Sequence, residues 1–147
     1  MRLTETDARA RLAAHDHGIF CTLHPDRGPD PVPVVYALDD DGYVGIPVDQ
    51  VKPKSSSRLQ RERNLEADPR AALLVEHWNP DEWSGLWWAR AELRWHPDAA
   101  ARAADLSTRL AQTYAQYRNK PFTRVLVLRI VRVTGWTAAQ GSVRTPV

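Results

Sequence analysis

IPVDQVKPKSSSRLQRERN, residues 46–64, changes character twice. It opens as the end of an apolar strand (Tyr43, Val44, Ile46, Val48) and breaks at Asp49. It then crosses Lys52-Pro53-Lys54 and a run of serines before entering a helical stretch, Ser57 to Ala67, that carries Arg58, Arg61 and Arg63. A strand end, a cationic loop and a serine-capped helix start describe an anion cradle. Unpaired N–H groups, the positive pole of the helix and the lysine charges all meet at one place. Pro53 stiffens the loop, so less ordering entropy is lost when an anion binds. The competing reading is a solvated basic surface loop.

Upstream, Thr4 is a good N-cap for a short helix to about Ala14. Ile19, Cys21 and Leu23 alternate with Phe20, Thr22 and His24 as a first strand, in which Cys21 reads as a small core residue. A turn at Pro25–Pro29 leads to a second strand, Val32–Leu38, and Asp39-Asp40-Asp41-Gly42 is a hairpin signal before the third, Tyr43–Val48. These three strands form a meander. Downstream, Asp68-Pro69 stops the helix, and Ala71–Trp78 is apolar enough to be buried on both faces. In Leu86–Trp95, Trp87, Ala89, Ala91, Leu93 and Trp95 share one face, while Arg90, Glu92 and Arg94 share the other. Pro97 opens the longest helix, to about Arg118, with a core stripe at Ala103, Leu106, Leu110, Tyr114 and Tyr117. Arg124–Val133 is the last strand before Gly135-Trp136. Six strands, mostly joined by hairpins, and three helices predict a mainly β fold: one antiparallel barrel with peripheral helices, spanning residues 1–136, with a loosely held tail over 137–147. Strands apolar on both sides call for a homodimer to cover the outer face.

At 147 residues the chain is one domain, with 20 basic and 18 acidic side chains. So even a balance argues against a protein that coats nucleic acid, and makes the excess at 52–63 stand out. Cys21 is the one cysteine, so no intrachain disulfide can form. No run approaches the ~20 apolar residues of a membrane helix, and the N-terminus lacks an apolar signal core. A cytoplasmic protein with no membrane partner is expected. His15, His17, His24, His77 and His96 show no metal-ligand spacing. Motifs for acyl transfer, phosphoryl transfer and Rossmann cofactor binding are absent.

Taken in order, VPVVYAL, VDQVKPK, RNLEADPRAALLVEHW, WSGLWWARAELRW and VTGW resemble the pyridoxamine 5′-phosphate oxidase-like split-barrel superfamily over Thr4 to Trp136. Within it the chain resembles the PPOX-class, deazaflavin-dependent oxidoreductases of actinobacteria. The resemblance implies a six-stranded split barrel (the FMN-binding split barrel), a homodimer, and a cofactor in the groove between subunits: coenzyme F420, or FMN as the alternative. It implies that backbone groups of Ile46, Pro47, Val48 and Asp49 line the ring, and that Lys52, Lys54, Arg58 and Arg61 face its phosphate or acidic tail. Asn64 is structural. Trp87, Trp88 and Trp136 match tryptophans that wall the pocket, or else pack in core or interface. Pro47 stands where a small or hydroxyl residue is expected, and removes one N–H from the ring's reach. The function implied is hydride transfer between reduced cofactor and a conjugated small molecule. No catalytic residue is identified; a proton could come from water, Tyr36 or Tyr43. A non-catalytic cofactor carrier is the other reading.

Overall fold

A computed structural model describes residues 1–49, 59–119 and 122–138, with backbone only for Asp49, Phe122 and Thr123. In chain order the elements are α1 (Glu5–Ala14), β1 (His17–His24), β2 (Gly28–Val35), β3 (Ala37–Leu38), β4 (Tyr43–Asp49), α2 (Gln60–Ala67), β5 (Arg70–His77), β6 (Trp87–Trp95), α3 (Ala100–Thr113) and β7 (Phe122–Thr137). The strands form one antiparallel sheet in the order β2-β1-β5-β6-β7-β4-β3. β2 and β3 are its two outermost strands, yet only Tyr36 separates them in the chain. The sheet therefore curls round and closes on itself, giving the mainly β split barrel with peripheral helices that the sequence predicts. The described strands number seven rather than six, because the run Val32–Leu38 breaks at Tyr36. Its first part pairs with β1 and its last two residues pair with β4.

Alternation places the core. Phe20, Val44, Ile46, Leu73, Val75, Ala89, Ala91, Leu93 and Leu128 point inward and are buried together, with Trp87 and Trp95 packed alongside. β5 departs from expectation. Leu73 and Val75 are buried, but Leu74 and Glu76 are exposed, since a barrel wall has only one inner face and no helix covers β5 from outside. Cys21 likewise lies on the outer side of β1, half-buried, rather than in the core.

Three helices close the barrel. Thr4 caps α1, its hydroxyl accepting from the Asp7 N–H at 3.1 Å, and Ala8 and Leu12 are buried beneath it. α3 starts at Ala100, after the 97–99 turn, and ends at Thr113, shorter than the pattern suggests, with a 3-10 turn at Ala115–Tyr117 following. Its stripe is core: Leu106 and Leu110 are buried on Ala37 and Val127, with Ala103, Tyr114 and Tyr117 beside them. Gly45 permits that approach, because a Cβ there would lie 2.7 Å from the Leu106 Cβ. Gly42 takes φ 86° in the β3–β4 turn, a conformation glycine adopts without strain. β7 runs on through Thr137, whose N–H donates to the Met1 carbonyl at 2.9 Å, so the barrel includes one residue assigned to the tail. Residues 139–147 lie outside the described chain. Among the described residues no helix is long and apolar enough to cross a membrane.

Candidate functional site

β7 is the spine on which the candidate site is built. β4 pairs with its first half, Asp49↔Phe122 to Tyr43↔Arg129, and β6 with its second half from Trp95↔Leu128 onward. β3 covers the other edge of β4 only at Val44 and Gly45. From Ile46 to Asp49, therefore, β4 has no second partner strand among the described residues. Proline chemistry decides which backbone groups face that open edge. Pro47 has no N–H, so it cannot occupy a ladder position that donates to β7. Ile46 and Val48 hold the ladder positions, and their side chains are buried in the barrel. Pro47 turns its backbone to the open edge.

The Pro47 carbonyl accepts a hydrogen bond from Arg61 Nη2 at 3.3 Å, which sets this α2 side chain against β4. α2 begins at Gln60 rather than Ser57, and its cap position is Leu59, which offers no side-chain acceptor. Instead the Glu62 carboxylate reaches back to accept the Leu59 N–H at 3.3 Å. Among the described residues the helix start is thus met by its own acid, while the serines expected to cap it, Ser55 to Ser57, lie outside them. Lys52, Lys54 and Arg58 lie outside the described residues.

Two anchors fix α2, and sequence reading passed over most of their members. Buried Glu62 takes a two-pronged bond from Arg124, at 2.8 Å from Nε and 2.6 Å from Nη2. Arg124 stands on β7 directly across from Val48. Asn64 is fully buried; its amide donates to Thr22 Oγ1 at 2.9 Å and Asp30 Oδ2 at 3.0 Å, and its oxygen accepts from Gln60 Nε2 at 2.9 Å. Glu62 had a signal, three residues after the cap position. Arg124 had none: it is one of three arginines, with Arg129 and Arg132, in the predicted last strand.

Neither tyrosine considered as a proton source faces the open edge of β4. Tyr36 is buried, and its hydroxyl donates to the Leu12 carbonyl at 2.5 Å. Burial pushes its pKa well above the ordinary tyrosine value. Tyr43 lies under the Arg102 guanidinium, 3.8 Å from the ring centre, and edge-on to His96. Among the described residues no group of His, Cys, Asp or Glu could hold a metal ion.

A model of the pyridoxamine 5′-phosphate oxidase family matches residues 4–137, nearly the whole barrel. The chain belongs to that family. Solved structures similar to this pyridoxamine 5′-phosphate oxidase-family barrel include an FAD-binding protein from Mesorhizobium loti, with a TM-score of 0.66 and 18% identity over 92% of this chain and 93% of that one. Another is an FMN-binding protein from Syntrophomonas wolfei, with a TM-score of 0.64 and 14% identity over 90% and 86%. A third is a heme binding protein from Mycobacterium smegmatis, with a TM-score of 0.66 and 17% identity over 94% and 60%. At such identities the likeness is one of fold. No curated protein matches the sequence.

The tryptophans divide across this family barrel. Trp88 and Trp136 are directly opposite in the β6–β7 ladder and share the outer face, while Trp87 faces the other way. Trp87 is edge-on to His15, stacked on His77, and lies beneath the Arg11 guanidinium. Trp136 stands twelve residues along β7 from Arg124, about 40 Å of strand at ~3.3 Å per residue. Trp88 and Trp136 thus belong to the half of β7 that pairs with β6, and Arg61 to the half that pairs with β4. The outer face also carries Ile19, Leu74 and Val131, which are 42%, 38% and 44% exposed. Ile19 and Leu74 are cross-strand partners.

Proposed function

We propose that this chain is a homodimeric oxidoreductase that binds coenzyme F420, with FMN as the alternative, and exchanges a hydride with a conjugated small molecule. The observation that carries the reading is the open edge of β4 over Ile46–Asp49, with Arg61 held against it at Pro47. In sequence, that edge runs directly into Lys52, Lys54 and Arg58. A flat ring on a strand edge with its anionic tail among those cations fits this arrangement. When bound, such a ring supplies the redox chemistry; the chain's own residues bind it, orient it and exclude water.

The exposed row Ile19–Leu74, with Trp88 and Trp136 on the same face, supports a second copy of the chain as its cover. Pairing would offer each site tryptophans that its own β4 edge does not have. The relatives named for FAD and FMN binding support a flavin-type ring. The orientation of Tyr36 and Tyr43 favours the second reading, a carrier that holds the cofactor without turnover.

A side-by-side titration with F420, FMN and haem tests the proposal. Binding of F420 or FMN, followed by oxidation of the reduced form by at least one conjugated acceptor, is the expected result. Tight binding with no turnover across an acceptor panel selects the carrier, and haem binding alone ends both redox readings.

A further inference from the structure

On the half of β7 that pairs with β6, directly opposed residues share the outer face: Trp88 stands against Trp136, and Arg90 against Thr134. The N-terminal residues extend the first of these rows along the other edge of β7. Arg2 is the bridge partner of Trp136. It is held there by the Leu3 N–H donating to the Gly135 carbonyl and the Thr137 N–H donating to the Met1 carbonyl, both at 2.9 Å. The chain then leaves β7 for α1 at Glu5, so Thr134 has no strand neighbour on that side among the described residues. A cavity of about 460 Å³ opens here, and its lining includes these five residues and Arg132.

Its charges are not balanced. Arg132 is engaged by Glu92, and the one carboxylate in the lining, Glu5, accepts from Arg9 and from the Val133 N–H. Arg2 and Arg90 have no carboxylate partner among the described residues. The Arg90 guanidinium lies instead over the Trp88 ring, 5.4 Å from its centre. Stacking fixes the plane of a guanidinium and leaves its N–H edge free for an anion. The Thr134 hydroxyl is buried and has no hydrogen-bond partner, although buried polar atoms are nearly always satisfied. We propose that this cavity binds a planar aromatic carboxylate, its ring on the Trp88–Trp136 pair and its carboxylate between Arg2 and Arg90, with the Thr134 hydroxyl donating to it. An indole wall beside two cations without counter-charges calls for a ligand with one flat apolar body and one anionic head. The site uses neither the β4 edge nor α2, so it stands or falls apart from the proposed cofactor reading.

Calorimetric titration of the full chain with 2-naphthoate tests it, with 2-naphthalenemethanol and cyclohexanecarboxylate as controls and the tryptophan indole N–H signals in NMR spectra to locate the ligand. The acid binds in the micromolar range and shifts the indole signals of Trp88 and Trp136, which Trp88→Phe and Trp136→Phe assign. The neutral alcohol and the non-aromatic acid bind about tenfold more weakly or worse. Arg90→Gln costs about tenfold in affinity, and Thr134→Val about threefold. Arg90 is exposed and valine matches threonine in size, so both variants keep the fold; Arg2→Gln, also at an exposed position, reports on the second cation. No binding by the wild type, unchanged affinity in both arginine variants, or shifts confined to the remaining tryptophans overturns the site. Displacement of the acid by saturating FMN or F420 merges the cavity with the cofactor pocket and overturns it as a separate site. Failure of FMN and F420 to bind, with the acid bound as expected, sinks the proposed function and leaves this site standing.

Discussion

Glu62 and Arg124, 62 residues apart in sequence, close a two-pronged ion pair that locks α2 to β7 opposite the end of β4. The carboxylate is buried and the guanidinium about one-third exposed, so the pair is only partly screened by water. Removing the acid takes from Arg124 its two-pronged carboxylate partner and frees the Leu59 N–H. Glu62→Ala should lower unfolding free energy by about 1–3 kcal/mol, less than for a fully buried pair because of that exposure. Urea denaturation measures it, with an unchanged midpoint as the contrary result.

The Gly45–Leu106 approach predicts a steric effect. Gly45→Ala sets a methyl 2.7 Å from the Leu106 Cβ and 3.0 Å from Val125 Cγ1, and neither atom is the free end of a long side chain. α3 must lift from β4. The expected loss is about 1–3 kcal/mol, a drop in thermal midpoint of several degrees. A midpoint equal to wild type would show that the helix shifts at no cost.

The outer face yields an assembly prediction. Leu74→Glu places a charge beside Ile19 on the exposed row of β1 and β5. The variant should sediment as a monomer while the wild type sediments as a dimer, and its circular dichroism should be unaltered. A wild-type monomer, or a dimeric variant, would leave the tryptophan pair to some other role.

Acid stability carries a signature of Asp68. Its side-chain hydrogen bond with Arg70, at 2.6 Å, holds the carboxyl at about 2, below the ordinary 3.8. A depressed folded-state pKa stabilises the fold above the unfolded value, and that support fades as pH falls from about 4 toward 2. Asp68→Asn should therefore flatten this limb of the pH–stability curve, and the wild-type slope should shrink at high salt, since the pair is exposed. Parallel acid titrations of the two proteins followed by tryptophan fluorescence would show it.

Lys54 gives the binding prediction. Lys54→Ala should weaken cofactor binding about tenfold, equivalent to ~1.4 kcal/mol, through loss of a charge partner for the anionic tail. Fluorescence-quench titration reads it directly, and an unchanged curve would remove that lysine from the site.

Much of the barrel was legible in local signals. Thr4 caps α1, the hairpin turns at Gly42, and the alternation from Trp87 to Trp95 places β6 with its charged face outward. The stripe from Ala103 to Tyr117 packs as core, as its period requires. The misses share one physical cause, dependence on residues distant in sequence. The break at Tyr36 exists because two different strands compete for one run of residues. Leu74 looked doubly buried because periodicity cannot tell a wall with one covered face from a sheet packed on both. Within the candidate site, Arg61 was visible as part of a basic cluster, but its contact with the Pro47 carbonyl was not. Alternation does put Trp88 on the face opposite Trp87, but only the β6–β7 register sets Trp88 against Trp136.

Tyr36 as the lone joint between β2 and β3 has an evolutionary corollary. Turns elsewhere on the surface can absorb an inserted or deleted residue, but here the length of the connection sets handedness of facing for everything upstream. One added residue would swing the prolines of β2 onto β1, where ladder donors are required, and send Val32 and Val34 out into water. Homologues should vary freely in length around Asp26 and hardly at all at this joint.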